Sequence, residues 1–285
     1  MRVRLHSFRS RALLACVPAT AMVFMATAGT ASAAHTPANT RAELRTALEH
    51  LLSVHPSRGT HFATLRGVGL RHSTNSHWSG YADTGKGFSS VAGKWKEPKI
   101  SGCSASSPLE AVVFWVGLDG FSNQTVEQDG TAAICGGGNP ITYLTWWEMF
   151  PANNIQFIGA TVKPGDAIAA SVVRSGTKYT LKVTDSTTSG NTFTAHATCA
   201  ATTCKDQSAE WIGEAPFANG AEVPLPKFAP WTLTAATVKA GTHSGTIKSF
   251  PDNAITMELA SPDNDVKPGA LNTAGNSFKD TQLAT

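Results

Sequence analysis

Residues 163–185 read KPGDAIAASVVRSGTKYTLKVTD. Apolar and polar side chains alternate on either side of Arg174-Ser175-Gly176. That is the pattern of two half-buried strands joined by a tight turn. Lys163-Pro164-Gly165-Asp166 supplies a second turn signal just ahead of it. The same texture extends in both directions. Runs rich in strand formers occur at Ala111–Val116, Ile141–Met149, Ala167–Arg174, Tyr179–Thr184, Thr192–Thr198, Ala209–Ile212, Trp231–Val238 and Ile255–Leu259. Asp83-Thr84-Gly85, Ser189-Gly190-Asn191 and Ser261-Pro262-Asp263 punctuate them as turns. Helical periodicity nearly vanishes from Ser76 onward, and no period recurs that would mark a propeller or solenoid. The expectation is an all-β domain: a β-sandwich of two packed antiparallel sheets, of concanavalin-like or jelly-roll type. The tail after Asp263 is polar and poorly patterned.

The first part of the chain has a different character. Arg2, Arg4, Arg9 and Arg11 precede an apolar run from Ala12 to about Ala28, and Ala31-Ser32-Ala33 follows. This three-part layout predicts a secretory signal peptide over residues 1–33 and an extracellular product. As a membrane anchor the run is slightly short and contains Pro18. In Thr40–Val54 (TRAELRTALEHLLSV), Leu44, Ala47, Leu48, Leu51 and Leu52 recur at helical spacing, with Asn39 or Thr40 as a cap. Pro56–Asn75 is rich in Arg, His, Gly, Ser and Thr, a composition that suits a processing segment. Residues 34–75 thus read as a propeptide with a short helix, and residues 76–285 as the β-sandwich domain.

Charge divides at the same place. The chain carries +3 overall, with nine Lys/Arg and two Asp/Glu through Arg71, then 14 and 18 beyond it. The basicity belongs to the part expected to be removed, so it is no argument for nucleic-acid binding. A basic helix beside an acidic domain suits a propeptide that covers an acidic cleft until acid weakens the pairing. Four cysteines remain after the signal, which fits an oxidising compartment. Of the three possible pairings, Cys199–Cys204 and Cys103–Cys135 are preferred. Pairs of the C-x2-C kind needed for zinc are absent.

Common catalytic signatures are missing. There is no G-x-S-x-G elbow and no H-E-x-x-H site. Asp83-Thr84-Gly85 lacks the second Asp-Thr/Ser-Gly that an aspartic dyad needs and reads as a hairpin turn. Three segments stand out: Phe114-Trp115-Val116-Gly117-Leu118-Asp119-Gly120 with Gln128-Asp129-Gly130 beyond it; Trp146-Trp147-Glu148-Met149-Phe150-Pro151; and Ala209-Glu210-Trp211-Ile212-Gly213-Glu214. Each sets a carboxylate near tryptophan in a β-rich run. Alternation turns Glu210 away from Trp211, and Glu148 away from Trp147 but alongside Trp146. A carboxylate on an aromatic-lined face loses hydration and rises in pKa, which tunes it for acid–base work.

Taken in order, FWVGLDG, Q-x-G, WWEMFP and AEWIGE resemble the glutamic peptidases, or eqolisins, and Asn75-Ser76-His77-Trp78-Ser79-Gly80 resembles the start of their mature domain. The resemblance spans about Trp78 to Met257. It implies a two-sheet sandwich with a concave cleft, and a secreted, acid-acting endopeptidase with a propeptide and neither metal nor cofactor. It matches the catalytic glutamate to Glu210 and the catalytic glutamine to Gln128. Trp115, Asp119 and Glu148 match positions lining or supporting the cleft, and Trp146 sits beside Glu148 on the same face. The chain departs from the family at Met149-Phe150, where a tyrosine is frequent. In chemical terms, Glu210 serves as base and then acid, while the Gln128 amide donates to the oxyanion without titrating. Glu127, next to Gln128, faces the other way on a strand. The implied partners are protein or peptide substrates and the chain's own propeptide, with no nucleic acid and no membrane, and the mature form is expected to be a monomer. Two rival readings use the same residues: a glycoside hydrolase built on Glu148 and Glu210, with Gln128 incidental, and a noncatalytic glycan-binding domain with tryptophan platforms.

Overall fold

In a computed structural model of the chain, the described residues are 52–53, 63–66, 71–200, 202–259 and 265–283. The expected signal segment lies outside them, as does nearly all of the expected Thr40–Val54 helix. The exception corrects that expectation: Leu52–Ser53 are a two-residue strand, paired antiparallel with Phe217–Ala218.

The principal strands are β1 (Trp78–Thr84), β2 (Phe88–Lys96), β3 (Glu110–Leu118), β4 (Val126–Gly136), β5 (Asn139–Phe150), β6 (Asn153–Thr161), β7 (Ala167–Ser175), β8 (Lys178–Asp185), β9 (Thr192–Thr198), β10 (Ser208–Glu214), β11 (Trp231–Ala240), β12 (Asp252–Met257), β13 (Val266–Pro268) and β14 (Phe278–Gln282). They form the expected β-sandwich. The large sheet runs β6-β5-β4-β3-β10-β1-β12, every pair antiparallel. Arg71–Asn75 joins its end in parallel with β12, the exception to an otherwise antiparallel expectation. The smaller sheet runs β9-β8-β7-β2-β11. One strand belongs to both: Trp231–Leu233 of β11 pair with β14, whereas β11 from Thr234 onward pairs with β2.

The opening stretch behaves as its alternation requires. β7 and β8 pair in continuous register from Ile168–Asp185 to Ser175–Lys178 about a two-residue turn, where Gly176 takes a left-handed φ of 64°. Their apolar side chains, Val172, Leu181 and Val183 among them, enter the core between the sheets, against Phe114, Val116 and Trp211 of the large one. Trp231 stacks on Phe114 at 5.2 Å within the same layer. Each such large side chain contributes about 1.5–3 kcal/mol by leaving water. Cys103–Cys135 and Cys199–Cys204 are the disulfides formed, as preferred.

Several strands carry no clear sequence signal. β4 (VEQDGTAAICG) is buried at every position, because it lies inside the large sheet with both faces covered, so polar and apolar residues do not alternate. In the polar tail, β14 puts Asp280 at a core position, where Ser79 Oγ donates to it at 2.7 Å. The Ile255–Leu259 run is displaced: the strand is Asp252–Met257. Asp83-Thr84-Gly85 is not the expected hairpin turn: Asp83 is a buried residue of β1 opposite Asp252, and β1 and β2 pair with different strands in different sheets.

Candidate active site

Position along each strand decides which side chains meet on the outer face of the large sheet. The registers place Glu148, Gln128, Gly117, Glu210 and Ala82 in one row across β5, β4, β3, β10 and β1. Two residues along, Trp146, Gly130, Trp115, Ile212 and Gly80 form a second row. A third holds Leu144, Ala132, Val113, Glu214 and Trp78. Trp78, Trp115, Trp146 and Ile212 pack in one apolar cluster, distinct from the core between the sheets. The carboxylate row therefore borders an aromatic bed.

Gly117 separates Gln128 from Glu210. The two bearing strands are about 10 Å apart at the backbone, from two strand spacings. With hydrogen alone at Gly117, both side chains can reach toward a common point. A Cβ there would sit 2.9 Å from Trp115 Cζ3 and 3.1 Å from Gln128 Cβ. Gly117→Ala is expected to lower activity by at least about tenfold through displacement of Gln128 or Trp115, since small misplacements of reacting groups are costly. A steady-state assay on folded variant checks this. Gly130 answers a similar constraint: a Cβ would lie 2.0 Å from the Phe114 carbonyl oxygen, so the glycine of the Q-x-G pattern marks a forced close approach of strands.

Glu210, Gln128 and Glu148 are fully buried. Gln128 Nε2 donates to Glu148 Oε2 at 2.7 Å, which fixes the orientation of the amide. Glu210 is held well above the usual glutamate range, chiefly by burial. The Ser208 hydroxyl acts against this, Asp119 and Glu127 add repulsion, and the Phe121 backbone offsets part of it. Glu214 lies on the same face, four residues along. Burial raises it too, although it accepts from Trp115 Nε1 at 2.8 Å; Glu148 adds repulsion. Thus Trp115 is anchored by Glu214, and Gln128 by Glu148. Trp211, on the opposite face, donates from Nε1 to the Ala92 carbonyl at 2.9 Å, tying β10 to the smaller sheet.

Asp119 is placed differently from the others. It stands just after β3 with φ 66°. Its oxygens accept from the backbone amides of Lys205, Asp206 and Gln207 at 2.7–2.8 Å and from Asn123 Nδ2 at 2.8 Å. Asp119 therefore fixes the segment that leads into β10 and Glu210. Glu127 faces away from the row, as alternation requires, into a group with Asp119, Asp206 and Arg174. There Tyr179 Oη donates to Asp206 at 2.9 Å and Arg174 Nε lies 3.2 Å from the same oxygen. Among the described residues, the two groupings with metal-ligand spacing are Cys103-Glu110-Cys135 and Glu127-Cys199-Cys204. Each spends its sulfurs in a disulfide.

Alternation thus brings Glu210, Gln128, Glu148, Trp115 and Trp146 to one face and sets Asp119 behind it. Glu214, Gly117 and Ser208 belong to the site as well and were not singled out. Glu214 was findable, because it lies four residues beyond Glu210 on a strand and so on the same face.

Comparisons with known proteins follow this geometry. Residues 76–275 match the family model described as the Peptidase A4 family. The chain is 25% identical over 203 residues to aspergillopepsin-2 of Aspergillus niger, covering 65% of this chain and 70% of that protein. It is 32% identical over 115 residues to scytalidopepsin B of Scytalidium lignicola, covering 40% and 42%. In three dimensions it resembles scytalido-glutamic peptidase with a peptide-based transition-state analogue, with a TM-score of 0.61 and 24% identity over 73% of this chain and 98% of that one. Aspergilloglutamic peptidase from Aspergillus niger aligns with a TM-score of 0.52 and 21% identity, over 61% and 99%.

Proposed function

Since the chain belongs to the Peptidase A4 family and is a glutamic endopeptidase, we propose that Glu210 and Gln128 are its catalytic pair. One observation carries this reading: the two side chains stand in one cross-strand row, separated by a residue without a side chain. Ionised Glu210 takes a proton from water as the water attacks the scissile carbonyl, and then hands it to the leaving nitrogen. Its raised proton affinity strengthens it as a base and keeps it loaded between the two steps. Gln128 donates to the developing oxyanion, its amide oriented by Glu148. Trp115, Trp146 and Glu148 shape the substrate side of the row, and Asp119 supports it from behind.

Gln128→Ala should lower kcat by about 10²–10³-fold, the usual worth of one oxyanion donor, with KM nearly unchanged. Steady-state kinetics on a peptide substrate at acid pH read this out. A glycosidase built on Glu148 and Glu210 has no such dependence on Gln128, so unimpaired hydrolysis by this variant would sink the proposal.

The chain is read as a secreted precursor, with residues 1–33 as signal and 34–75 as propeptide, maturing to a monomeric domain over 76–285. The signal rests on the arginine-flanked apolar run and on Ala31-Ser32-Ala33. The propeptide acts as inhibitor. In support, Leu52–Ser53 add a strand beside Phe217–Ala218, and Ala218 packs against the aromatic bed of the site.

A further inference from the structure

The smaller sheet has an outer face that the peptidase reading leaves unused. Its five strands carry Lys94, Lys96, Lys178, Lys182 and Lys239 at exposed positions. They contain one carboxylate, Asp185, which is buried and accepts from the Thr187 backbone and from Asn191 Nδ2. Among the described residues, none of the five lysines has an ion-pair partner. The domain beyond Arg71 has more acids than bases, yet twelve of its 18 carboxylates are buried. Five of the thirteen lysines beyond Arg71 thus share one face whose strands expose no carboxylate.

The face is also shaped. Two neighbouring outward residues of β7 are small: Ala167 and Ala169 pair with Lys96 and Lys94 on one side, and Ala169 with Thr184 on the other. Small residues between taller ones leave a trough of about 800 Å³, walled by the two lysines and by hydroxyls of Thr184, Thr232 and Thr234.

We propose that this trough docks an anionic polysaccharide, a polymer of carboxylate-bearing sugars, with lysines pairing its carboxylates and threonines its hydroxyls. Lysine stays cationic in acid, and sugar carboxylates keep charge above about pH 4. A single-stranded nucleic acid fits less well, because among the described residues the face exposes no Phe, Tyr or Trp on which bases could stack, only His196 at its edge strand. The trough lies on the opposite side of the sandwich from the row of Glu210 and Gln128. A docked polymer would hold the peptidase on a charged matrix with its catalytic face turned outward.

The test is binding of the full-length chain to immobilised polygalacturonate at pH 5 and low salt, with fully methyl-esterified polymer as the uncharged control. The expected result is binding to the charged polymer alone, weakened by salt. A Lys94→Ser/Lys96→Ser/Lys182→Ser variant should bind at least about tenfold more weakly, since it loses three of the five contacts. A Lys227→Ser/Lys267→Ser/Lys279→Ser variant, with the same charge removed elsewhere, should bind almost as wild type. Both should digest soluble denatured protein normally. The proposal is overturned by no binding, by equal binding to the esterified polymer, by equal weakening in the two variants, or by tighter binding to single-stranded DNA of equal charge.

Discussion

Replacing Glu210 by Gln should reduce digestion of denatured casein at acid pH by at least about 10⁴-fold, because in the proposed mechanism one carboxyl performs both proton transfers and each is worth about 10²–10⁴-fold. Gln keeps the shape and can donate a hydrogen bond, but it can neither take a proton from water nor deliver one to the leaving nitrogen. The fold should persist. Glu210 is fully buried and its carboxyl is pushed toward the neutral form, so a neutral isostere matches the state that the site favours. The variant should melt no lower than wild type, and higher as pH rises. If the propeptide leaves by self-cleavage, the variant should also remain at precursor length after acid incubation. Activity within tenfold of wild type would end the assignment of Glu210, whatever Gln128→Ala shows.

Raising the pH should destabilise this protein. Burial pushes Glu97 up to about 7, partly offset by hydrogen bonds from Thr131 and Trp95, with a smaller repulsion from Asp166. Burial likewise pushes Asp280 up to about 7 against hydrogen bonds from Ser79 and the Thr281 backbone. Asp83 is pushed up to about 9, by burial and then by Asp252. In the unfolded chain all three titrate near 4. As pH rises above that, the unfolded chain holds fewer protons than the folded one, so stability is full below about pH 4 and declines through the folded values. Glu97 and Asp280 each give up on the order of 3–4 kcal/mol by about pH 8. A domain of this size has about 5–15 kcal/mol in all. Thermal melts should fall by about 10–20 °C between pH 4 and pH 8. Glu97→Gln and Asp280→Asn should hold the melting temperature up at the alkaline end. A melting temperature independent of pH would refute the account.

The same buried carboxyls explain what was and was not legible in the sequence. Where one face of a strand meets the core and the other meets water, as in β7 and β8, alternation is plain and the hairpin was read with its turn. Where both faces are covered, as in β4, burial no longer follows polarity, and VEQDG shows no alternation while holding Gln128 inside the sheet. Asp280 and Asp83 hide strands for a related reason, since an acid occupies a core position. The facing of Glu210, Glu148 and Glu127 followed from period two alone. The choice of Gln128 did not. It came from the resemblance, because a glutamine advertises nothing until its cross-strand neighbours are known. Gly117 carries no signal within FWVGLDG, since its contribution is the space it leaves between two side chains that are distant in sequence.

The strand β11 has a mechanical consequence. Its first three residues are stitched to β14 and the rest to β2, so the two layers are a single band bent back on itself, not two separate plates. Parting the layers along that edge means drawing one continuous strand out of both ladders at once. At the opposite edge, among the described residues, β6 pairs with β5 alone and β9 with β8 alone. Slow breathing of the interior should therefore begin there and run toward the fold of the band. Backbone amides of β6 and β9 should exchange with deuterium early, and those of β11 should be among the last.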